Sequence, residues 1–392
     1  MTITLSKRTL RIKPSATMAV NAKALEMKRA GIDIINLSVG EPDFPTPDII
    51  KAAGIKAIED NVTHYTPIDG MPELKQGIID KFKRDNKLDY ALNEIIVTPG
   101  AKQAVYNACQ ALLNEGDEVI IPAPFWVSYS AMVELADATP VIVMTDHKQH
   151  FKITPAQLEQ AITNKTKIVM LNSPSNPTGM IYTLEELQAL GEILLKYPAI
   201  AIIVDDIYEY IYWDNKVFVT LLNACPALKD RTVLVNGVSK AYAMTGWRIG
   251  YTAAPAEITN AMKKVQSHST SCASSVSQMA AIAALKIPYK ELRHMYDEFQ
   301  KRHDLVVAGL QKIDSITVQK ADGAFYLYPY VQAAIDKLGL ADDIELATYL
   351  LEKAHVATVP GTAFGTPGYL RISCATSAEQ LEEAVKRLQK AL

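Results

Sequence analysis

One lysine in this sequence stands in a setting that suggests covalent chemistry. Lys240 lies in the segment SKAYAMTGWRIGY, directly after the apolar run TVLVN, and Arg248 follows eight residues later. A lysine amine that is removed from water beside another cation has a lowered pKa, and this makes it a nucleophile towards an aldehyde. Arg248 suits a phosphate group, because a guanidinium binds phosphate through two parallel hydrogen bonds. A lone lysine is more often a solvated surface residue, but the small and hydroxyl-bearing neighbours, Ser239 among them, favour a functional amine.

Two adjacent aspartates follow a second apolar run, IAIIVDD, and Tyr208 comes three residues after the first of them. A carboxylate at this place could hold the nitrogen of a protonated pyridine ring and so turn the ring into an electron sink. It could also cap a helix, since Asp is favoured at an N-cap and suits the helix dipole. We expect Asp206 to be the cap and Asp205, the deeper of the two, to be the cofactor contact.

Polar or glycine-containing segments follow three more apolar runs. SPSNPTG, after KIVMLN, offers Asn176 as a polar ligand, although alone it indicates only a turn. Gly100, Ala101 and Lys102 stand where EIIVT meets a helical segment, and backbone amides at a helix N-terminus bind phosphate well. PAPFWVSY offers Trp126, whose flat indole either packs in the core or stacks on a planar ring.

A charged residue inside an apolar strand is a further candidate. Arg371 lies in YLRIS, and a buried charge without a partner is costly, so this arginine requires an anion. A substrate carboxylate would meet that requirement. Gly40, in SVGEPDFPTP, stands at the end of another predicted strand.

The elements that carry these residues predict the fold class. Near-continuous apolar runs alternate with amphipathic stretches between Asn93 and Ala254, which indicates an α/β domain with a mostly parallel sheet and helices on both faces. In such sheets ligands collect outside the carboxyl ends of the strands, which is where the candidate residues stand. The runs are EIIVT (94–98), EVIIP (118–122), PVIVM (140–144), KIVMLN (167–172), IAIIVDD (200–206) and TVLVN (232–236).

A different succession of predicted helices and strands after Pro288 indicates a smaller α+β domain. A long helix is expected over 290–310, followed by the strands AFYLYPY, VATVP and YLRIS, a helix over 343–355 and a last helix from Ser377. The helix 18–30 and the strand IINLSV are expected to join this unit. The predicted division is therefore a large domain over 49–290 and a discontinuous small domain formed by 1–48 and 291–392.

Composition narrows the function classes. A chain of 392 residues that is 49% hydrophobic can bury a large core, and its net charge of −3 gives no field that would gather nucleic acid or anionic lipid. The four cysteines are far apart and form no Cys/His cluster, so we expect no metal and the reduced thiols of a cytoplasmic protein. No apolar run approaches the roughly 18 residues of a membrane span.

From about Lys13 to the C-terminus these places, in this order, resemble the class I aminotransferases, which are pyridoxal 5'-phosphate (PLP) enzymes of fold type I. The segments KPSAT, GEPDFPTP, SNPTG, SKAYAMTGWRIGY and RIS are similar to those of the bacterial aspartate aminotransferase subgroup. Together these segments indicate the family far more specifically than any one of them does alone. The resemblance implies PLP as cofactor, amino acids and 2-oxo acids as substrates, and a homodimer with active sites at the subunit interface.

The resemblance also implies a role for each matched residue. Lys240 carries the cofactor as a Schiff base and moves the substrate proton, while Asp205 holds the pyridine nitrogen. Tyr208 and Asn176 bind the phenolic oxygen of the ring, on which Trp126 stacks. The implied phosphate contacts are the backbone amides of Gly100, Ala101 and Lys102, together with Ser239, Arg248 and Tyr65 of the partner subunit. The implied contacts of the substrate α-carboxylate are Gly40, Asn176 and Arg371, with Trp126 beside them.

The substrate implied is a dicarboxylic amino acid. The segment SHSTSCASS has no arginine for the distal carboxylate, and the subgroup uses instead the lysine that matches Lys102. The lysine that matches Lys13 contacts larger dicarboxylates such as prephenate. The implied reaction converts L-aspartate and 2-oxoglutarate into oxaloacetate and L-glutamate, in two half-reactions through Lys240.

Alternatives remain within the same scaffold. Two departures from the subgroup, the absence of an Asn-Pro pair after STS and Gly-Ala-Lys in place of Gly-Gly-Lys, bear on substrate detail. Prephenate transamination or a broader specificity is one alternative reading. A PLP-dependent β-C–S lyase or an aminocyclopropane-carboxylate-type synthase is another, since a fold does not determine a reaction.

Overall fold

The structure is a computed structural model and describes residues 3–213 and 216–392. Its strands, in chain order, are β1 (Ile35–Asn36), β2 (Ile95–Thr98), β3 (Glu118–Ala123), β4 (Thr139–Met144), β5 (Thr166–Asn172), β6 (Ala201–Asp205), β7 (Thr232–Gly237), β8 (Gly250–Ala253), β9 (Tyr326–Leu327), β10 (Val356–Ala357), β11 (Val359–Pro360) and β12 (Leu370–Ser373).

The α-helices, in chain order, are α1 (Lys7–Arg11), α2 (Ala16–Arg29), α3 (Asp48–Glu59), α4 (Pro72–Lys81), α5 (Ala101–Leu112), α6 (Ser128–Leu135), α7 (Pro155–Ala161), α8 (Leu184–Leu195), α9 (Leu221–Ala224), α10 (Ala256–Ser267), α11 (Ser275–Leu285), α12 (Tyr289–Leu310), α13 (Gln332–Leu338), α14 (Asp343–Tyr349) and α15 (Ala378–Ala391). Within the described residues, no helix is both long and apolar enough to cross a membrane.

In the part of the chain that the structure describes, the largest sheet has seven strands in the order β2-β8-β7-β6-β5-β3-β4. Strands β4, β3, β5, β6 and β7 run parallel to one another. Strand β8 runs antiparallel to both of its neighbours, β2 and β7. The predicted mostly parallel sheet is confirmed, and each of the six apolar runs forms a strand. Strand β8 was not predicted, because its four residues follow a turn-rich segment and show no long apolar run.

Both faces of this sheet are covered by helices, as the apolar runs predict. Ile202 and Val204 of β6 point into a core shared with α4, α8 and α11, whereas Ile203 of the same strand belongs to a core shared with α5, α6 and α10. Successive side chains of a strand point to opposite faces, so a strand buried on both faces must be apolar at every position.

A separate core forms around the C-terminal helices α13, α14 and α15 and the strands β9 and β12. Strand β1 joins it, pairing in parallel with β10 through Ile35 and Val356. Helix α12 takes part in two cores: Phe299 packs with the large sheet and Leu310 with the C-terminal elements. The division at residues 48 and 290 stays a prediction.

Local expectations differ from the structure in two places. The helix expected over 343–355 is α-helical only to Tyr349 and continues as a π-helix, Leu350–Ala354, before His355 takes a left-handed φ of 56°. Asp206 is not a helix N-cap, because in the described chain the residues after it form a turn and no helix begins there. The buried strand passes directly into a tight bend.

Candidate active site

The carboxyl ends of β5, β6 and β7 open into a cavity of about 490 Å³. Each strand delivers a polar residue to it, as the rule for ligand sites in parallel sheets predicts. Predicted site residues that line it are Gly40, Ala101, Lys102, Trp126, Asn176, Asp205, Tyr208, Ser239, Lys240, Arg248 and Arg371. Tertiary packing therefore brings together residues that are up to 331 positions apart in the chain.

Lys240 follows β7 and points its amine into this cavity, where Nζ donates a hydrogen bond to the carbonyl oxygen of Gly40 at 2.5 Å. Burial and the positive charges of Arg371 and Arg248 together lower the pKa of Lys240 to about 8, against the opposing effects of Glu41 and Asp205. The sequence pointed to Arg248 as the neighbouring cation, but Arg371 acts more strongly. A lysine with this pKa has a substantial neutral fraction near neutrality.

Asp205 is the last residue of β6, and each of its two carboxylate oxygens accepts a hydrogen bond. Its Oδ2 accepts a hydrogen bond from the hydroxyl of Tyr129 at 2.7 Å, and its Oδ1 accepts one from the backbone N–H of Ile207 at 3.2 Å. Burial raises the pKa of Asp205, and these two hydrogen bonds oppose that shift by favouring the ionised form. The carboxylate is thus oriented by fixed donors at the edge of the cavity.

Asn172 supports the same region from the end of β5. Its Nδ2 donates to the carbonyl oxygen of Asp205 at 2.7 Å, and its Oδ1 accepts from the backbone N–H of Asn176 at 2.9 Å. The sequence analysis missed both Asn172 and Tyr129. Asn172 is the last residue of the run KIVMLN and Tyr129 comes three residues after Trp126, so both stood beside residues that were singled out.

Arg371 presents a buried guanidinium with neutral partners only. Nη1 donates to Oδ1 of Asn176 at 3.1 Å and Nη2 to the carbonyl oxygen of Ser38 at 2.5 Å, while Nε has no partner among the described residues. The rings of Tyr326 and Phe364 lie 4.7 and 5.1 Å from its Cζ. Because no carboxylate compensates this buried charge in the described chain, the site suits an anionic ligand.

A second group of hydrogen-bond donors that could bind an anion lies at the start of α5. Gly100 is the N-cap of this helix with φ of 85°, and a Cβ at this position would come 2.3 Å from Nη2 of Arg248. Glycine therefore permits the left-handed backbone and leaves room for the guanidinium. The first amides of α5, the hydroxyl of Ser239 and Arg248 border the cavity on this side, a donor set that suits phosphate.

Tyr208 and a residue that the sequence analysis did not single out, Tyr326, meet beside Lys240. Their hydroxyl oxygens lie 2.8 Å apart, and both side chains are buried. Nζ of Lys240 lies 5.8 Å from the ring centroid of Tyr208. Tyr326 occurs in the predicted strand AFYLYPY, where alternation alone gives no reason to prefer one tyrosine over another.

Lys102 and Trp126 line the cavity together. Nζ of Lys102 lies 5.0 Å from the ring of Trp126. Burial lowers the pKa of Lys102, and the charge of Arg248 adds to this effect. Ser15 and Thr17, at the start of α2, also line the cavity. Lys102 is therefore a further basic residue of the cavity, besides Lys240, Arg248 and Arg371.

Three predicted site residues, Gly100, Tyr65 and Lys13, are not among those that line the cavity within this chain, although Gly100 directly precedes the lining residue Ala101. The side chain of Tyr65 is 93% exposed, and Lys13, which is also exposed, lies two residues before the cavity residue Ser15. Among the described residues, no cluster of His, Cys, Asp or Glu could hold a metal ion. Lys13 and Tyr65 stay predictions.

The residues present fit PLP part by part. Lys240 offers an amine for the aldehyde, Asp205 an oriented carboxylate for the pyridine nitrogen, and the start of α5 with Arg248 a phosphate site. The unpaired Nε of Arg371 leaves a place for a substrate carboxylate. The donor set thus matches one bound aldehyde, one ring nitrogen and two anions.

Comparison with known proteins also indicates an aminotransferase, over nearly the whole chain. The family described as aminotransferase class I and II matches residues 32–388. The aspartate/prephenate aminotransferase of Nitrosomonas europaea is 50% identical over 394 residues, which cover 99% of each chain. The aspartate aminotransferase of Geobacillus stearothermophilus is 50% identical over 386 residues and 98% of each chain.

Solved structures of aspartate aminotransferases have the same fold as this chain. The aspartate aminotransferase from Rhizobium meliloti superimposes with a TM-score of 0.95 at 46% identity, covering 100% of this chain and 99% of that one. The aspartate aminotransferase from Thermus thermophilus with maleate gives 0.93 at 39% identity over 100% of both chains. Members of this family use PLP and transfer amino groups between amino acids and 2-oxo acids. This chain belongs to the class I and II aminotransferase family.

Proposed function

We propose that this protein is a PLP-dependent aspartate aminotransferase that converts L-aspartate and 2-oxoglutarate into oxaloacetate and L-glutamate. The observation that carries the proposal is the placement of Lys240, Asp205 and Arg371 around one cavity that Lys102 also lines. The charges of Arg371 and Lys102 suit the two carboxylates of a dicarboxylic substrate. The names of the relatives from Nitrosomonas europaea and Geobacillus stearothermophilus support the same substrate.

Bound PLP supplies an aldehyde that links covalently to amines and a pyridine ring that withdraws electron density from the substrate Cα. Asp205, oriented by Tyr129, would hold the ring nitrogen in its protonated form. Tyr208 and Asn176 would bind the phenolic oxygen, and Trp126 would cover the ring. The groups proposed for the phosphate are the backbone amides of Gly100, Ala101 and Lys102, together with Ser239, Arg248 and Tyr65 of the partner subunit.

Lys240 is proposed to be both the attachment point and the base. With a pKa of about 8, a useful fraction of its amine is neutral near pH 7 and can attack an aldehyde. Once a substrate amine has replaced it, the freed Nζ can accept the proton from the substrate Cα. The hydrogen bond to the Gly40 carbonyl shows that the side chain can be held at a defined point of the cavity.

Arg371 and Lys102 are proposed to select the substrate. The guanidinium of Arg371 has an unpaired Nε and neutral partners, so an α-carboxylate would supply the missing negative charge. Gly40, next to Arg371, leaves space for it: a Cβ there would lie 3.8 Å from Nη1 of Arg371. Lys102 would pair with the distal carboxylate of aspartate or glutamate.

Prephenate is proposed as a second substrate. The start of α2 lines the cavity through Ser15, Thr17 and Met18, and Lys13 lies just before this turn. The relative from Nitrosomonas europaea is named for both aspartate and prephenate. Prephenate should therefore act as an amino acceptor, and its use should depend on Lys13 more than the use of 2-oxoglutarate does.

A homodimer is proposed as the working assembly. Tyr65 projects into solvent, and α3 exposes Ile49, Ile55 and Ile58, with more than half of each side chain accessible. Exposed apolar side chains on one helix are typical of an interface. Light scattering should give twice the mass of the chain, and Tyr65→Phe should weaken PLP binding without dissociating the dimer.

The test of the function is the visible absorbance of the purified protein with PLP, recorded before and after aspartate is added without a 2-oxo acid. The proposal predicts a visible band that aspartate removes and alanine leaves largely in place. Product analysis with aspartate and 2-oxoglutarate should then show oxaloacetate and glutamate in equal amounts. Ammonia or a cyclised product in their place would point to the lyase or synthase reading.

A further inference from the structure

Tyr326 contacts three parts of the active site at once. Its hydroxyl lies 2.8 Å from that of Tyr208, its ring lies 4.7 Å from Cζ of Arg371, and its hydroxyl would lie 2.7 Å from a Cβ at Gly40. The side chain is fully buried and lines the cavity. A group proposed to bind the cofactor and one proposed to bind the substrate therefore share this neighbour.

The position of Tyr326 is set by strand pairing. Strand β9 pairs antiparallel with β12, with Leu327 opposite Ile372 and Tyr326 opposite Ser373. Residues two apart on a strand share a face, so Tyr326 and Arg371 are diagonal neighbours on the face turned to the cavity. The absence of a side chain at Gly40 leaves the space that the Tyr326 hydroxyl needs.

We propose that Tyr326 is a positioning residue of this aminotransferase, which orders the hydroxyl of Tyr208 towards the cofactor and the guanidinium of Arg371 towards the substrate. The inference rests on the proposed function, in which Tyr208 donates its hydrogen bond to the phenolic oxygen of PLP. It assigns separate tasks to the two ends of the side chain, the hydroxyl to Tyr208 and the ring to Arg371.

The task of the hydroxyl follows from counting hydrogens. A phenol has one hydrogen to donate, so when Tyr208 donates to the phenolic oxygen, the hydrogen between the two tyrosines has to come from Tyr326. A hydroxyl that accepts a hydrogen bond becomes a stronger donor itself. Tyr326 therefore strengthens the bond by which Tyr208 stabilises negative charge on the phenolic oxygen, and this lowers the pKa of the bound chromophore.

The task of the ring is to hold Arg371. A guanidinium over an aromatic ring is attracted by the ring electrons, and the attraction is greater when water is excluded. The ring of Phe364 lies 5.1 Å from the same Cζ, so the guanidinium has an aromatic neighbour besides Tyr326. These rings leave hydrogen-bond donors of Arg371, Nε among them, free for a carboxylate.

Two substitutions separate the two tasks. Tyr326→Phe keeps the ring and removes the hydroxyl, while Tyr326→Leu removes both. In the holoenzyme, Tyr326→Phe should raise the pH midpoint of the visible band by about half a unit and change the Kd for maleate, measured by calorimetry, less than about twofold. Tyr326→Leu should also weaken maleate binding by about tenfold. Tyr328→Phe is the matched control, because that buried hydroxyl bonds Thr366 instead.

A double-mutant cycle tests whether the hydroxyl acts through Tyr208. In the Tyr208→Phe background, Tyr326→Phe should produce no further shift of the chromophore midpoint, since the acceptor is already gone. The role proposed for the hydroxyl would be overturned if the midpoint in Tyr326→Phe equals that of the wild type. It would also be overturned if adding Tyr326→Phe to Tyr208→Phe shifts the midpoint as much as it does in the wild type. Equal loss of maleate affinity in the Phe and Leu variants would overturn the inference for the ring.

The experiment also separates this inference from the proposed function. A wild-type protein that forms no visible band with PLP contradicts the proposed function, and the inference falls with it. A wild type with a normal band and normal maleate binding, together with inert Tyr326 variants, contradicts the inference alone. If Tyr326→Leu does not fold, Tyr326→Phe and the double variant still decide the hydroxyl, and the Phe364→Leu variant tests the aromatic support of Arg371.

Discussion

The amine of Lys240 donates a hydrogen bond to the carbonyl oxygen of Gly40 at 2.5 Å, which joins two residues 200 positions apart. Gly40 lies in the loop between β1 and α3, and Lys240 lies in the loop after β7 of the large sheet. The contact places the amine near Arg371, the cation that most lowers its pKa. The reactivity of Lys240 therefore depends on how the N-terminal segment and the C-terminal strands meet the sheet.

The pKa of Lys240 predicts how the PLP-free protein takes up its cofactor. Only the neutral amine attacks an aldehyde, so the rate of uptake should rise with pH and level off above about 8. Removing a nearby cation raises the pKa of a lysine, so Arg371→Leu should move this profile to higher pH. Stopped-flow absorbance over pH 6 to 10 provides the measurement, and a rate that still rises steeply at pH 10 would contradict the assignment.

Replacing Lys240 by Ala should abolish turnover while leaving the fold intact. Loss of both the covalent attachment and the base should lower kcat by about 10⁴-fold or more. The side chain makes one hydrogen bond, so the melting temperature of the PLP-free protein should change little. Lys165→Ala, at an exposed position, is the control, and measurable transamination by Lys240→Ala would refute the proposed role.

Tyr129→Phe should weaken the binding of PLP. The Tyr129 hydroxyl donates to Oδ2 of Asp205 and holds the pKa of that carboxyl down against burial. Without this donor Asp205 is ionised less readily and pairs less well with a protonated ring nitrogen, so the Kd for PLP should rise about tenfold. Tyr182→Phe is the control, because that buried hydroxyl contacts the backbone of Ile153. Equal PLP affinity in wild type and Tyr129→Phe would show that the contact is structural only.

Lys102→Ala should change substrate preference more than overall activity. If Lys102 binds the distal carboxylate, kcat/KM for aspartate should fall by about 30-fold or more, whereas kcat/KM for alanine should stay within a few-fold. Arg371→Lys should lower both, because the α-carboxylate is common to the two substrates. Steady-state kinetics with the two amino acids decide the matter. A parallel loss for alanine and aspartate in Lys102→Ala would assign this lysine to the cofactor phosphate.

A buried ion pair behind Tyr208 should dominate the stability of this region. The amine of Lys81 contacts Oε1 of Glu209, and both side chains are almost completely buried. Asn86 and Asn236 donate to the same carboxylate at 3.0 and 2.8 Å. Glu209→Gln leaves the charge of Lys81 unbalanced and should lower the free energy of unfolding by about 3–5 kcal/mol.

The loss of stability expected for Glu209→Gln can be compared with that caused by breaking an exposed ion pair. Lys56 and Asp60 form an exposed pair at i and i+4 at the end of α3, and Asp60→Asn should change the free energy of unfolding much less than Glu209→Gln does, because water screens an exposed pair. Urea unfolding of the two variants under identical conditions measures both. Similar small effects for Glu209→Gln and Asp60→Asn would mean that water or a proton compensates Lys81.

Six of the seven strands of the large sheet, and the positions of the site residues after them, could be predicted from the sequence alone. Runs such as KIVMLN and IAIIVDD can only be buried on both faces, and a residue directly after such a run stands at the carboxyl end of a parallel strand. This local rule placed Asn176, Asp205 and Lys240 at one edge, and the structure brings them into one cavity. The resemblance to a known family then supplied their proposed roles.

The other residues that complete the site could be identified only in the folded chain. Tyr129 and Tyr326 carry no local signal, because their hydroxyls matter only once α6 faces β6 and β9 pairs with β12. Strand β8 likewise depends on a place between β2 and β7 and not on its own four residues. Hydrogen bonds and cation–ring contacts act over a few ångströms, whereas a pattern along the chain reports only on near neighbours in sequence. The contacts proposed for Tyr65 and Lys13 involve a second chain or a ligand, so neither the sequence pattern nor a single folded chain tests them.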